Sequence, residues 1–307
     1  MIVVAGESLV DLVVRLDGSV SATPGGGPCN VARALARLGG QVSFLGRVSR
    51  DRFGQILTAR LAADGVDLGC LVPSDDPTLL AIADIDADGA ATYRFYTAGT
   101  AAAGLAVADL PGGLPAATTA LHVGSLGLVL EPMAATIEAI TTAVPSTVLV
   151  MADPNCRPSA IRDPAAYRAR LDRVLARVDV LKLSADDLAW LEPDREPAAA
   201  ARRFLDRGPA VVLLTAGPDP VRIVAARDVI TLPVPAVRVV DTIGAGDAFG
   251  AGFLAAWSGA GRGRAELGDL AALADATRFA IEVGARTTGR AGADPPTLAE
   301  MSMAGPG

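Results

Sequence analysis

Two glycine-rich turns, each opening a helix, carry most of the chemistry this sequence offers. The later turn runs Val240-Asp241-Thr242-Ile243-Gly244-Ala245-Gly246-Asp247-Ala248-Phe249-Gly250. Small residues at 244 to 246 let the backbone approach a ligand closely. Exposed N–H groups and the positive end of the following helix then make a cradle for a phosphate or a developing oxyanion. A carboxylate is stabilised as an anion in such a place. Asp247 therefore reads either as a helix-capping group or as a general base held beside an anion hole. The earlier turn, Pro24-Gly25-Gly26-Gly27-Pro28-Cys29-Asn30, repeats the arrangement and adds an amide side chain suited to a polar ligand. It too reads either as a helix cap or as a binding loop. Two such loops at opposite ends of an α/β chain suit a site for two ligands at the C-terminal edge of a sheet.

Other chemistries fall away. A dinucleotide fingerprint would need glycine where Phe249 stands. Lys182 is the only lysine and no glycine precedes it, so the phosphate loop of P-loop NTPases is absent. His122 is the only histidine, which excludes a multi-histidine metal site. Cys29, Cys70 and Cys156 lack paired spacing and read as reduced, buried thiols. With 27 basic against 34 acidic residues the formal charge is −7, which gives no footprint for nucleic acid or an anionic membrane. No apolar run approaches the roughly 20 residues that span a bilayer. The opening MIVVAGESLVDLVV lacks the marks of a signal peptide and reads as a first buried strand, so the expected location is cytoplasmic.

The elements that must position these turns follow from periodicity. Short apolar runs alternate with helix-period stretches, the signature of a mostly parallel sheet wrapped by helices. Expected strands are Ile2–Ala5, Val42–Gly46, Leu121–Val123, Thr147–Met151, Val178–Leu183 and Ala210–Thr215. Expected helices are Pro28–Leu38, Arg52–Ala63, Pro132–Ala143, Ala165–Arg177, Glu196–Arg207, Ala245–Trp257 and Leu267–Val283. Thr78–Asp86 and Ala91–Thr97 are β-patterned around a turn at 87–90, and Leu9–Leu16 could join them in a small flap. The tail from Arg290 to Gly307 reads as a surface strap.

GGGPCNVARALARLGG and DTIGAGDAFGAGF together resemble the two signatures of the ribokinase-like (PfkB) sugar kinases. The likeness runs almost end to end, through Gly6-Glu7 with Asp11, FLGRVSRDRFG (44–54), YRFY (93–96), HVGSLGL (122–128), DPNCRP (153–158), DVLKLSADDL (179–188) and RAGADPPTLAE (290–300). DPN-x-R and the closing R-x-G-A-x-P-P are most similar to the fructokinase and 2-keto-3-deoxygluconate kinase branch. The resemblance implies one ribokinase-like α/β unit over 1–307, with a β lid from about 9–17 and 78–97. It implies transfer of the γ-phosphoryl of ATP to a sugar hydroxyl, with fructose or 2-keto-3-deoxygluconate favoured. Asp247 would be the base, with Gly244, Ala245 and Gly246 as the anion hole. Asp11, Gly25, Gly26, Asn30, Arg94, Tyr96 and Arg157 would contact the sugar. Ser184, Thr215, Gly217, Gly244 and Gly246 would lie on the ATP side. Mg²⁺ would arrive with ATP, organised through water by Asp187, and K⁺ would sit near Asp241 and Thr242. The lid would exclude water and could pair two subunits in a homodimer.

Three positions depart from the family pattern. Its Asn-x-x-Glu appears as Ser184-Ala185-Asp186-Asp187, with a shorter acid and a hydroxyl in place of the amide. Its Thr-x-Gly-x-x-Gly appears as Thr215-Ala216-Gly217-Pro218-Asp219-Pro220, and proline at 220 removes an N–H. Lys182 reads equally as a solvated strand-end lysine or a phosphate contact, and His122 as structural. A ribose or nucleoside kinase and a non-catalytic sugar sensor remain the competing functions. An NAD oxidoreductase is remote because the glycine at 249 is missing.

Overall fold

The computed structural model describes residues 1–85, 91–110 and 112–303. The strands are β1 (Ile2–Ala5), β2 (Leu9–Val14), β3 (Val20–Gly25), β4 (Val42–Ser49), β5 (Leu71–Ser74), β6 (Leu80–Ile85) and β7 (Ala91–Tyr96). They continue with β8 (Ala120–Gly124), β9 (Leu149–Asp153), β10 (Val180–Ser184), β11 (Val211–Ala216), β12 (Asp219–Ala225) and β13 (Val229–Leu232). The helices are α1 (Gly27–Arg37), α2 (Arg52–Ala63), α3 (Met133–Ala143), α4 (Pro164–Leu175) and α5 (Ala185–Leu191). After them come α6 (Pro197–Leu205), α7 (Ala245–Gly259), α8 (Leu270–Thr288) and α9 (Leu298–Met303).

Nine strands form the main sheet in the order β13-β12-β11-β10-β9-β8-β1-β4-β5. Neighbours from β11 to β5 run parallel, and β12 and β13 are added antiparallel at one edge. Both faces are covered, which explains why the central strands read as unbroken apolar runs. The period of two sends Ile2 and Val4 of β1 into the layer shared with α1, α2, α7 and α8. Val3 and Ala5 enter the opposite layer with α3, α4, α5 and α6. Trp257, Phe253 and Phe204 are fully buried in these layers, and each such side chain contributes roughly 1.5–3 kcal/mol of burial.

A second sheet, β3-β2-β6-β7, stands outside the first. Its strands β2, β6 and β7 fall within the segments at about 9–17 and 78–97 expected to form a lid, and β3 adds one strand more. Val20–Gly25 reads as loop because it contains Pro24 and Gly25, yet it pairs antiparallel with β2 along its whole length. The turn expected at 87–90 lies outside the described residues. β5, β12, β13, α5 and α9 have no counterpart among the expected elements; β5 and β13 have four residues each, and β12, with seven, is an antiparallel edge addition.

The tail corrects the expectation of a surface strap. Ala293 and Met301 are buried. Arg33 on α1 donates to the Ala293 carbonyl at 3.0 Å, and Met301 packs with Leu38, Ala248 and Val283. Residues 304–307 lie outside the described residues.

Candidate active site

The two glycine turns meet at the C-terminal edge of the parallel strands. Gly26 precedes α1 with φ 103°, and a Cβ there would lie 2.9 Å from the Glu7 carbonyl oxygen. Only glycine takes that conformation against that wall. Pro28 lies in the first turn of α1, where its missing N–H costs nothing. Gly244 precedes α7 with φ 76°, and a Cβ there would lie 2.6 Å from the Cβ of Ala293. The turn is thus pressed against the tail.

Asp247 is the third residue of α7 and is 9% exposed. It does not cap the helix: Gly244 is the capping residue and no side chain caps it. Instead the Asp247 Oδ2 accepts from Asn30 Nδ2 at 2.9 Å, across the two turns. Burial raises the Asp247 pKa above the ordinary carboxylate value, opposed by the Asn30 hydrogen bond and then by the charges of Lys182 and Arg157. Asn30 Oδ1 is buried with no partner among the described residues. Of the expected anion-hole amides, Ala245 N–H already donates to the Thr242 carbonyl at 3.3 Å. The other first-turn amides of α7 have no partner one turn back, as at any helix start.

Asp247 shares a shallow depression at this edge with Gly27, Ser125, Asn155, Asp153 and His122. Lys182 Nζ donates to Asp153 Oδ2 at 2.8 Å, both residues being buried. The reading of Lys182 as a solvated strand end is therefore incorrect: it is the third residue of β10, inside the sheet, and points to the neighbouring strand. Burial pushes the Asp153 carboxyl up to about 6 in spite of this partner. His122 is buried, and desolvation with the Lys182 charge pushes it down to about 3, so it is a neutral ring.

The second sheet brings Asp11 to this edge from β2. Burial, and then the negative charge of Asp247, push the Asp11 carboxyl up to about 6 against the pull of Arg157. Gly25, at the end of β3, is buried opposite Leu9. Arg157 is exposed and donates to the carbonyls of Asn155 and Cys156 at 3.3 and 3.2 Å. Arg94 and Tyr96 are not brought to Asp11. Asp11 pairs with Ala81, and Ala81 with Phe95, so those three share one face of the lid. Arg94 and Tyr96, one residue to either side of Phe95, lie on the opposite face. Strand register decides this, and it is not legible from YRFY alone.

Of the residues expected on the ATP side, Ser184 forms a capping box with Asp187 at the start of α5. Asp187 Oδ2 accepts from Ser184 Oγ at 2.6 Å and Ser184 N at 2.9 Å, while Oδ1 accepts from Cys156 N at 2.6 Å. Both oxygens are thereby engaged within the protein. Thr215 Oγ1 donates to the Leu183 carbonyl at 3.3 Å, and Gly217 turns the chain into β12. Pro220 falls beside the irregularity between β11 and β12, where a missing N–H is tolerated. Asp241 accepts from Ile243 N at 3.0 Å and Gly292 N at 2.8 Å, tying the turn that includes Thr242 to the tail. The sequence reading missed Asp153, the Asn30–Asp247 bond and the packing of Ala293 on Gly244. Among the described residues no cluster of three His, Cys, Asp or Glu side chains could hold a metal ion, and no helix is long and apolar enough to cross a membrane.

The comparisons agree with this architecture. Residues 1–300 match the model of the pfkB family carbohydrate kinases. A fructokinase of Klebsiella pneumoniae is 36% identical over 294 residues, covering 94% of each chain. The structure of a fructokinase from Xylella fastidiosa with bound ATP superposes with a TM-score of 0.88 at 27% identity, covering 98% of this chain and 96% of that one. A fructokinase from Vibrio cholerae O395 in a fructose, ADP and calcium ion bound form gives 0.84 at 28% identity, covering 95% and 94%. A mostly parallel sheet with a second small sheet, two glycine turns meeting over a buried aspartate, and a family match across nearly the whole length leave one assignment: the chain belongs to the pfkB family of carbohydrate kinases.

Proposed function

We propose that this carbohydrate kinase transfers the γ-phosphoryl of ATP to a hydroxyl of fructose, acting as one ribokinase-like unit with its lid. The observation that carries the reading is the buried Asp247, held by Asn30 at the start of α7 with Lys182 and Arg157 opposing the cost of its charge. Asp247 takes the proton of the attacking hydroxyl while the first turn of α7, at Gly244 to Gly246, receives the transferring phosphoryl. Such a reaction depends on positioning and charge stabilisation more than on covalent help. Asn30, through its Oδ1, which has no partner among the described residues, together with Asp11, Gly25 and Gly26, holds the sugar. Arg157 closes over it from the loop after β9. Ser184, Thr215 and Gly217 line the nucleotide side.

Mg²⁺ belongs to this proposal as an ion carried on the ATP phosphates, where it neutralises their charge. With both Asp187 oxygens already engaged, that residue acts toward the ion only through the loop it holds. K⁺ beside Asp241 and Thr242 would order the segment that leads into the anion hole. Exposed Leu16, Val20 and Tyr96 on the lid support a homodimer through it. Three free, buried cysteines suit a reducing cytoplasm.

The test is ADP release from Mg-ATP, with and without K⁺, across fructose, 2-keto-3-deoxygluconate, ribose, glucose, tagatose, inosine and adenosine. Fructose is expected to stand well above the rest. Asp247→Asn should lose roughly 10²–10⁴ in turnover, the scale of general base catalysis, while still binding both substrates. Silence across the panel in a folded protein that binds a sugar would favour a sensor instead.

A further inference from the structure

The lone lysine is spent in the interior. Lys182 is 3% exposed, and its ammonium is clamped by Asp153 at 2.8 Å. The same Nζ lies 3.0 Å from where a Cβ on Gly246 would sit, directly behind the turn that leads into Asp247. A buried ion pair is weak evidence for stability, since desolvation can exceed the attraction. Its position suggests a different use.

Asp247 faces negative groups from several elements: Glu7 after β1, Asp11 on the lid and Asp153 at the end of β9. Two cations oppose them, Lys182 from β10 and Arg157 from the loop after β9. Arg157 is exposed and screened by solvent; Lys182 is not. Asp187 at the start of α5 adds a carboxylate on the Lys182 side, whereas Cys29 and His122 carry no charge at neutral pH. Burial pushes the Cys29 thiol on α1 up to about 12, and His122 on β8 is a neutral ring. Asn30 contributes a hydrogen bond and no charge.

We propose that Lys182 is a positioning residue of the phosphoryl transfer: clamped by Asp153 behind Gly246, its ammonium supplies the countercharge that keeps Asp247 an anion. This rests on the reading of Asp247 as the base. Burial alone would push Lys182 down, but the carboxylates of Asp153, Asp187 and Asp247 together outweigh it and raise its pKa, so it stays charged. Asp153 both fixes the ammonium and divides its field. The pair thereby sets how much positive charge reaches Asp247.

The test compares the pH dependence of kcat/KM for Lys182→Met, Asp153→Asn and the double variant. In Lys182→Met the acid limb should move up by about one pH unit, a tenfold gain in proton affinity. In Asp153→Asn it should move down, and the double variant should return toward wild type. Groups common to all the proteins cancel in this comparison. Loss of activity by the same factor at every pH, or no return in the double variant, would overturn the proposal. If Lys182→Met does not fold, an unmoved limb in Asp153→Asn overturns it. A second readout needs no turnover. Protein labelled with ¹⁵N-lysine has one side-chain ammonium resonance, which should shift with the ionisation of Asp247. That inflection should vanish in Asp247→Asn, and its persistence there would count against the coupling. Wild-type protein making no ADP with any sugar would count against the kinase reading, whereas the resonance would still report whether Lys182 and Asp247 share a titration.

Discussion

Asn30 Nδ2 donates to Asp247 Oδ2 at 2.9 Å, joining residues 217 apart in the chain. The bond ties the first turn of α1 to the first turn of α7, so the two glycine turns cannot shift independently. It also leaves Asn30 Oδ1, which has no partner among the described residues, beside the base. In the proposed mechanism one side chain would orient the base and present an acceptor to the substrate.

The Asn30–Asp247 bond should therefore matter to turnover more than to folding. A hydrogen bond to a charged group is worth about 1.5–3 kcal/mol, so Asn30→Ala is expected to lose about ten- to a hundredfold in kcat/KM. Asn30→Asp should be worse, because it sets a second carboxylate against Asp247 in a buried site. Sugar-dependent ADP release measures both. Asn30→Ala within twofold of wild type would show that α7 alone orients the base.

Gly244 and Gly217 both have positive φ, at 76° and 59°, yet their surroundings differ. Nothing lies within 4 Å of a Cβ on Gly217, whereas one on Gly244 meets Ala293 at 2.6 Å. Gly217→Ala should cost only the backbone penalty of about 1–2 kcal/mol. Gly244→Ala should cost more and should also displace the turn, cutting kcat as well as stability. Paired urea titrations and ADP assays separate the two effects. Equal losses in stability would mean that the tail yields freely.

What the sequence discloses depends on the range of the forces involved. α2 ends where expected, Arg52 to Ala63, because Asp51 accepts from Gly54 N at 2.8 Å and marks the start locally. The central strands are legible because burial on both faces leaves unbroken apolar runs. The glycine turns are legible because their conformation demands glycine. The partner of Lys182 is not: Asp153 lies 29 residues away on the next strand, and only sheet order joins them. The face of Arg94 and Tyr96 depends in the same way on pairing with β6. The Ser184 and Asp187 pair looked like a weakened metal site in the sequence, while in the structure it is first of all a cap.

That cap makes a prediction. Asp187 accepts from Ser184 N, Ser184 Oγ and Cys156 N in a buried position. Asp187→Ala would leave the buried Cys156 N unmet, at about 1–3 kcal/mol, and would strip the half-buried Ser184 N and Oγ of their acceptor. The expected result is a large loss of stability in urea, with an apparent Mg²⁺ affinity in the ADP assay that changes little. Stability close to wild type with a strongly weakened Mg²⁺ dependence would reverse the assignment and return Asp187 to the metal.

Glu7 should make stability depend on pH near neutrality. It is fully buried, with Oε2 accepting from Gly127 N at 3.0 Å and Oε1 without a partner among the described residues. Burial pushes its carboxyl from 4.5 up to about 7, against the hydrogen bonds from the backbone and Ser125. The folded state therefore holds the proton more tightly than the unfolded chain. The stability this contributes is complete below the unfolded value of 4.5 and is lost as pH rises through about 7. Glu7→Gln cannot ionise, so its melting temperature should gain on wild type between pH 5 and pH 8. The gain at pH 8 should correspond to about 3 kcal/mol at most. Asp11 and Asp153 have the same sign but are present in both proteins and cancel in the difference. A difference that stays flat across that range would mean Glu7 binds its proton equally well in the folded and unfolded chain, and that water reaches the space behind β1.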